Sequence, residues 1–267
     1  MEMAGDYPDV LVGCTGGGSN FAGMCFPFIG QKFRCEAKKP FRVVAVEPAA
    51  CPSLTKGTYA YDFGDTGNMT PLMKSHTLGH PFVPPPDHAG GLRYHAMAPL
   101  IRSLSHCLRS PNDLITCSCC SLHSCFIFSA CPIPSPFSPP LPSSSRKKYQ
   151  VTLSDLALVN SHLKEIGELE AVAYKQTECF EAGVLFAKAE GILPAPEANH
   201  AVKGAIAEAM RCKAESKSEV ILFNLCGHGN FDMAAYDKYN QGGMVDSDFN
   251  DSEVAMALAC IPKVPDN

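Results

Sequence analysis

Residues 12–23, VGCTGGGSNFAG, continue an apolar run that starts at Val10. This run predicts a buried strand. The three consecutive glycines Gly16 to Gly18 then predict a turn whose backbone adopts conformations closed to other residues. Backbone N–H groups in such a turn, together with the positive end of a following helix, favour an anion such as a phosphate. A short helix after the turn is predicted from the spacing of Phe21, Met24, Cys25 and Phe28.

Two known phosphate-binding motifs do not fit this stretch. A P-loop requires Gly-Lys-Ser/Thr, which is absent, and a dinucleotide fingerprint requires a third glycine where Phe21 stands. Glu47 ends the next apolar run and has the position of a ribose-binding acid, so a Rossmann unit stays open as an alternative. A tight glycine turn without a ligand is the other alternative, and the loop alone does not separate them.

The second half of the chain alternates strand-like and helix-like segments. Residues 169–173 alternate as in a strand, residues 179–190 have helical spacing, and Pro194 and Pro196 open another helix. The apolar run from Val220 to Leu225 is typical of a buried strand and ends in the Cys-Gly-His-Gly segment. We therefore predict an α/β fold, with a parallel sheet covered by helices and ligand chemistry at the carboxyl ends of the strands.

Composition excludes several classes of function. The chain has 267 residues, 46% of them hydrophobic, which is enough for a sizeable core in one or two domains. Its formal net charge is -5 and it has no long basic run, so we expect no nucleic-acid partner. The first residues lack a signal-peptide pattern and no apolar run reaches membrane-spanning length. We therefore expect a cytoplasmic protein without a membrane partner.

A stretch rich in Ser, Pro and Cys interrupts the α/β pattern between Ser103 and about Gln150. It lacks helical and strand periodicity, and such a composition does not readily pack a core. We divide the chain into a phosphate-binding α/β part (1–102), an insertion expected to be disordered (103–158) and a continuation of the α/β domain (159–267). The insertion's cysteines lack paired C-x2-C spacing, so no metal site is predicted. The eight cysteines outside it are expected to be buried free thiols.

Five longer strings resemble a single enzyme family. They are GCTGGGSNFAG, VEPAACPSLTKGTYAYDFGDTGNMTP, HTLGHPFVPPPDHAGGLRYHAMAPL, AEGILPAPEANHA and FNLCGHGNFDMAAYDKY. In this order they resemble the C-terminal part of tryptophan synthase beta chains of the second, beta-like subfamily. The resemblance implies fold type II of the pyridoxal-phosphate enzymes and a lyase that replaces the hydroxyl of L-serine by indole, giving L-tryptophan and water. It also implies a homodimer, with an alpha subunit as a candidate partner.

The resemblance also implies the residues that bind pyridoxal 5'-phosphate. Glu190, in AEGILPAPE, matches the glutamate beside the cofactor ring; the alternative for a lone glutamate at a helix end is a solvated charge. Cys226 stands where the family usually carries a serine that hydrogen-bonds the pyridine nitrogen; the alternative is a small buried residue at a strand end. A thiol donates more weakly than a hydroxyl, but either neutral partner suits β-replacement. The residues placed around the phosphate are Gly16, Gly17, Gly18, Ser19 and Asn20.

No catalytic residue is predicted within this chain. In the family, a lysine in a His-Lys-Xaa-Asn motif forms the Schiff base, and this sequence contains no His-Lys pair. Without that lysine the base at the substrate Cα is missing, so we expect the 267 residues alone not to be a competent synthase.

Other polar residues of these motifs receive no catalytic role. Asp62 and Asp65, next to glycines, are expected to fix a turn. His200 and His228 are expected to be ordinary core or capping histidines. The roles left open are those of His88, Arg93, Tyr94 and His95.

Three interpretations of the whole chain remain. The favoured one is a beta-like synthase whose gene model lacks an upstream segment and includes an intron-like stretch over 103–160, because joining residue 101 to residue 161 restores the family pattern. A transit peptide in the upstream segment would make this protein organellar. The second is a truncated, inactive protein that binds phosphate-bearing ligands or pairs with a full-length chain. The third is another type II enzyme, such as a serine or threonine dehydratase.

Overall fold

The computed structural model describes residues 5–97 and 161–264. Within these ranges, four strands form a parallel sheet and two form an antiparallel hairpin. The strands are β1 (Val10–Cys14), β2 (Arg42–Pro48), β3 (Thr58–Asp62), β4 (Met73–Thr77), β5 (Glu170–Tyr174) and β6 (Ile221–Phe223). The helices are α1 (Ser19–Phe33), α2 (Ser53–Lys56), α3 (Gln176–Glu190), α4 (Pro196–Glu215), α5 (Met233–Asn240) and α6 (Asp251–Ala259). Residues 161–165 are also helical.

The main sheet has the strand order β5-β2-β1-β6, and each neighbouring pair is parallel. In the register, Val12 of β1 lies beside Val44 of β2 on one side and Phe223 of β6 on the other. The first described range supplies β1 and β2, and the second supplies β5 and β6. Because the carboxyl ends of parallel strands meet at one edge, the segments that follow β1 and β6 lie side by side there.

Helices cover both faces of the main sheet. Side chains alternate along a strand, so Leu11 and Val43 pack in a core with apolar residues of α1, whereas Val12 and Val46 form a core on the opposite face. Helix α4 lies on this second face at Gly204, where a Cβ would be 2.6 Å from Val46 Cγ2 and 2.8 Å from Val12 Cγ1. Glycine at this position therefore lets the helix approach the sheet closely.

A smaller core lies beside the β3–β4 hairpin. Leu78 and Phe82 pack there against Val254 and Ala257 of α6. Gly79 has φ +95°, and a Cβ on it would lie 2.5 Å from the Ala257 carbonyl carbon. The turn after β4 therefore requires glycine both for its backbone conformation and for the close approach of α6.

The predicted α/β class, with a parallel sheet covered by helices, is confirmed. Helix α1 is longer than the predicted short helix, since it continues through Pro27 and buries Ile29 in the core. Strand β6 is shorter than the predicted run from Val220 to Leu225 and has 3 residues. After it, the amide of Asn224 still donates to the carbonyl oxygen of Val12 at 3.2 Å.

The predicted insertion at 103–158 lies outside the described residues, so the division into domains stays a prediction. Of the eight described cysteines, Cys35 and Cys260 are exposed and Cys226 is half-buried, contrary to the expectation of burial. Across 5–97 and 161–264, no group of three potential metal-ligating side chains occurs. No helix in these ranges is both long enough and apolar enough to cross a membrane. The cysteines that are buried free thiols, as predicted, are Cys14, Cys25, Cys51, Cys179 and Cys212.

Candidate functional site

The glycine loop (residues 15–20) connects β1 to α1 at the carboxyl edge of the main sheet. Gly18 caps α1 with φ +94°, a left-handed conformation that favours glycine. Within the described residues, the amides of Gly16 and Gly17 have no hydrogen-bond acceptor. The amide of Ser19, in the first turn of α1, has no acceptor within its own helix. These donors lie at the positive end of a helix dipole, so the loop is suited to an anion.

The segment from residue 90 to residue 94 packs against the glycine loop. A Cβ at Gly16 would lie 2.5 Å from Leu92 Cα, and a Cβ at Gly17 would lie 3.3 Å from the Tyr94 ring. The two backbones are therefore so close at Gly16 that no side chain fits between them. This packing gives Gly16 a structural role that does not depend on any ligand.

Four side chains at this edge form a chain of hydrogen bonds that ends at Cys226. Asn224 Nδ2 donates to Asn20 Oδ1 (2.8 Å), and Asn20 Nδ2 donates to Cys14 Sγ (3.6 Å). The sulfur of Cys14 lies 3.5 Å from that of Cys226. When the Cys14 thiol donates to Cys226, all three hydrogen bonds point in the same direction, from Asn224 towards Cys226. The Cys226 S–H is then left as a donor for a ligand.

The two thiols of this chain differ in acidity and access. The hydrogen bond with Cys14 lowers the pKa of Cys226, whereas the same contact and burial raise the pKa of Cys14 well above its ordinary value. Cys14 is 1% exposed, and Cys226 is half-buried. Cys226 is therefore the more acidic and the more accessible of the two.

The assignment of Glu190 beside the cofactor ring stays a prediction. Glu190 is the exposed last residue of α3 and has no polar partner within the described residues. Glu197, in the first turn of α4, accepts a hydrogen bond from Gly91 N at 2.8 Å. The Glu197 charge also acts to raise the pKa of both Cys14 and Cys226. Glu197 thus lies near the two thiols, and the proline before it, at the first helical position, was the available sequence signal.

Glu47 is not open to a ribose or to any other ligand. It is 1% exposed, and Oε2 accepts from Leu54 N at 2.9 Å while Oε1 accepts from Thr55 N at 2.8 Å. Burial raises the pKa of Glu47 to about 7 in spite of these hydrogen bonds. The carboxylate satisfies amides at the start of α2, so the Rossmann alternative loses the residue on which it rested.

The two aspartates of the YDFGDTG motif have different roles. Asp65 fixes a turn, as predicted, because Oδ1 accepts from Thr70 N at 2.9 Å and from Thr70 Oγ1 at 2.8 Å. Asp62 accepts from the amide of Phe63, the first residue after β3, at 2.8 Å, and it also bonds to side chains outside this turn. It ends β3 in a buried position, accepts from Thr77 Oγ1 at 2.6 Å and lies 2.7 Å from His80 Nδ1. We call this group the Asp62 cluster.

The motif histidines and Arg93 mainly hold local structure. His200 is a core histidine, as predicted; its Nδ1 lies 3.0 Å from the carbonyl oxygen of residue 196, and burial lowers its pKa to about 4. His228 caps the short 229–231 turn, as predicted, by accepting from the amide of residue 230. Arg93 donates to the carbonyl of residue 84, and His95 Nε2 lies 3.1 Å from the carbonyl oxygen of residue 63.

No protein-family model matches the chain. Curated proteins do match. The chain is 46% identical over 247 residues to tryptophan synthase beta chain 2 of Aquifex aeolicus, covering 92% of this chain and 43% of that protein. For tryptophan synthase beta chain 2 of Methanosarcina mazei, the identity is 45% over 242 residues, covering 91% and 41%. The chain is homologous to tryptophan synthase beta chains. It spans less than half of the length of these relatives.

Two solved structures match this chain with low sequence identity and low TM-scores. L-serine ammonia-lyase from Rhizomucor miehei matches 91% of this chain and 52% of its own, with a TM-score of 0.46 and 13% identity. Threonine deaminase isoform 2 from Solanum lycopersicum matches 89% and 45%, with a TM-score of 0.42 and 13% identity. These structural matches are too weak to indicate a fold or a substrate. The sequence identity to tryptophan synthase beta chains confirms the resemblance given by the five motifs.

Proposed function

We propose that this chain forms part of a tryptophan synthase beta-type enzyme that binds pyridoxal 5'-phosphate. The reaction is replacement of the hydroxyl of L-serine by indole, giving L-tryptophan and water. The observation that carries the proposal is the glycine loop, in which the amides of Gly16 and Gly17 lack an acceptor within the described residues, joined to Cys226 by a series of hydrogen bonds in a homologue of these enzymes. The proposed assembly is a homodimer, and an alpha subunit is a candidate partner.

The glycine loop fits the phosphate of this cofactor. The amides of Gly16 and Gly17 and the first turn of α1 present several donors that lack an acceptor in the described part of the chain. Ser19 adds a hydroxyl donor at the same helix end. Hydrogen bonds to a charged group contribute about 1.5–3 kcal/mol each, so several together suffice to anchor the phosphate without help from the aldehyde.

Cys226 and Glu197 fit the ring of the cofactor. When bound, the cofactor acts as an electron sink for the carbon atoms of the amino-acid substrate. Cys226 would donate its S–H to the ring nitrogen, a role that requires the proton to stay on the sulfur. Glu197, fixed by the amide of Gly91, favours this protonated state because its negative charge opposes formation of the thiolate.

The covalent step needs a lysine, and no lysine of the 267 residues matches the family motif. We therefore propose that the 267-residue chain by itself binds the phosphorylated ring but does not turn over. Binding and turnover are thus tested separately.

Binding is tested with pyridoxine 5'-phosphate and pyridoxine, which have no aldehyde and so form no imine with surface lysines. We expect the phosphorylated compound to bind at least about tenfold more tightly, equivalent to about 1.4 kcal/mol. Ser19→Asp places a negative charge in the loop, where it suits the helix end but repels the phosphate, and should remove this difference. Ser218→Asp, at an exposed position, is the matched control and should keep it. Equal affinities for the two compounds in the parent chain would contradict the proposal.

Turnover is tested on the protein isolated from its source, with L-serine supplied in the presence and absence of indole. Formation of tryptophan supports the proposed reaction. Pyruvate and ammonia formed whether or not indole is present would identify a serine dehydratase instead. Absence of any product together with tight binding of pyridoxine 5'-phosphate would identify an inactive binding protein.

A further inference from the structure

Cys14 and Cys226 are the one pair among the eight described cysteines whose sulfur atoms lie within hydrogen-bonding distance. The two sulfurs are 3.5 Å apart, and both thiols are free. Pairing of β1 with β6 brings these residues together, although they are 212 positions apart in the chain. A disulfide bond is about 2.05 Å long, so only a small movement of the two side chains separates this contact from a covalent bond.

We propose that Cys14 and Cys226 form a reversible disulfide at the candidate site when the protein meets a peroxide. Cys226 is half-buried at the edge of the sheet and is the sulfur that the oxidant reaches. Cys14 is fully buried beside it and is the partner that resolves the oxidised sulfur. The asymmetry in exposure therefore assigns a different role to each cysteine.

The reaction balances with two thiols and one hydrogen peroxide. The Cys226 thiolate attacks one peroxide oxygen, the O–O bond breaks, and a sulfenic acid forms on Cys226 with release of one water. The Cys14 sulfur then attacks the sulfenic sulfur, an S–S bond forms, and the second oxygen leaves as water. Two electrons pass from the sulfurs to the peroxide. A dithiol reductant reverses the reaction by thiol–disulfide exchange.

The environment of Cys226 suits its role as the sulfur that is oxidised first. The hydrogen bond with Cys14 lowers the pKa of Cys226, and a larger thiolate fraction speeds attack on an oxidant. Asn20 Nδ2 lies 3.6 Å from Cys14 Sγ and helps to keep that sulfur facing Cys226. Oxidation also consumes the S–H that Cys226 would offer to a ligand. This last consequence rests on the proposed function, whereas the disulfide itself does not.

Peptide mapping by mass spectrometry tests the disulfide directly. The reduced 267-residue chain is treated with hydrogen peroxide, its remaining thiols are alkylated, and the digest is compared with and without dithiothreitol. We expect a linked Cys14–Cys226 peptide that dithiothreitol removes. Cys14→Ser and Cys226→Ala should each abolish it, while Cys260→Ser, at an exposed cysteine, should leave it unchanged. Circular dichroism verifies that each variant is folded.

Two results would overturn the proposal. One is stable sulfinic acid on Cys226 without the linked peptide, and the other is linkage of Cys226 mainly to a different cysteine. The affinity for pyridoxine 5'-phosphate is measured on the same oxidised and reduced samples. If oxidation lowers the affinity of the parent chain for pyridoxine 5'-phosphate but not that of Cys14→Ser, the disulfide controls the ligand site. If the disulfide forms but the affinity for pyridoxine 5'-phosphate is measurable and does not change, the disulfide does not control the ligand site and Cys226 has no role in it. The proposal that the disulfide forms would not be affected.

Discussion

The glycine loop and the Asp62 cluster both concentrate polar groups beside buried strands, but they differ in how far their hydrogen bonds are completed within the described residues. Asp62 has Thr77 Oγ1 at 2.6 Å and His80 Nδ1 at 2.7 Å. The amides of Gly16 and Gly17, in contrast, have no acceptor in the described residues. Buried polar groups are normally paired. Unmatched donors therefore indicate a ligand site better than the density of polar residues does.

Removal of the Asp62 carboxylate is the strongest test of this contrast. In Asp62→Ala, the Thr77 hydroxyl and His80 Nδ1 both lose their partner in a buried position. We expect the free energy of unfolding to fall by about 4 kcal/mol, because each buried polar group left unpaired costs about 1–3 kcal/mol. Urea denaturation measures this loss. Asp65→Ala, which removes a half-buried turn aspartate, is the control and should cost much less. Equal losses in the two variants would show that the Asp62 cluster is not a closed buried network.

Glu47 is a second buried carboxyl group with its hydrogen bonds completed, and it should make the stability of the protein depend on pH. Its pKa in the folded state is raised from 4.5 to about 7, chiefly by burial. The folded state therefore favours the protonated carboxyl, so the contribution of Glu47 to stability is fully present below pH 4.5 and is lost as the pH rises through about 7. This shift corresponds to at most about 3 kcal/mol.

Glu47→Gln isolates this contribution, because the amide does not titrate. We expect the stability of the variant relative to the parent to rise by up to about 3 kcal/mol between pH 4.5 and pH 8, on top of a constant loss from a mismatched hydrogen bond. Urea denaturation at several pH values measures the difference. Glu190→Gln, at an exposed position, should show no such trend. A constant difference between Glu47→Gln and the parent across this range would refute the assignment.

Short-range patterns predicted the elements whose formation depends on neighbouring residues. The apolar run at Val10 gave a strand, the glycines after it gave the turn before α1, and Pro196 opened α4. Such features follow from backbone preferences and periodicity, which a local stretch contains in full. The length of α1 was underestimated because apolar spacing does not show how far a helix continues when its later turns find a core.

Contacts between distant residues could not be predicted in the same way. Asn20 and Asn224 are 204 positions apart, and their pairing depends on β6 lying next to β1. Glu190 and Glu197 share one motif, and the choice between them depends on which helix end reaches the sheet edge. Asn224 lies within the apolar run from Val220 to Leu225, near the carboxyl edge of the parallel sheet, and this position is the sequence signal for its approach to the glycine loop.

The smallest expected effect concerns the carboxylate beside the thiols. Glu197→Gln removes a negative charge that opposes the Cys226 thiolate, so the pKa of Cys226 should fall and its alkylation by iodoacetamide at neutral pH should become a few times faster. The rate is followed by mass spectrometry on the Cys226 peptide. Glu190→Gln removes a charge of the same type from an exposed helix end and should leave the rate unchanged. If Glu190→Gln rather than Glu197→Gln accelerated alkylation, Glu190 would be the carboxylate near Cys226. The first turn of α4 would then not lie at the sheet edge.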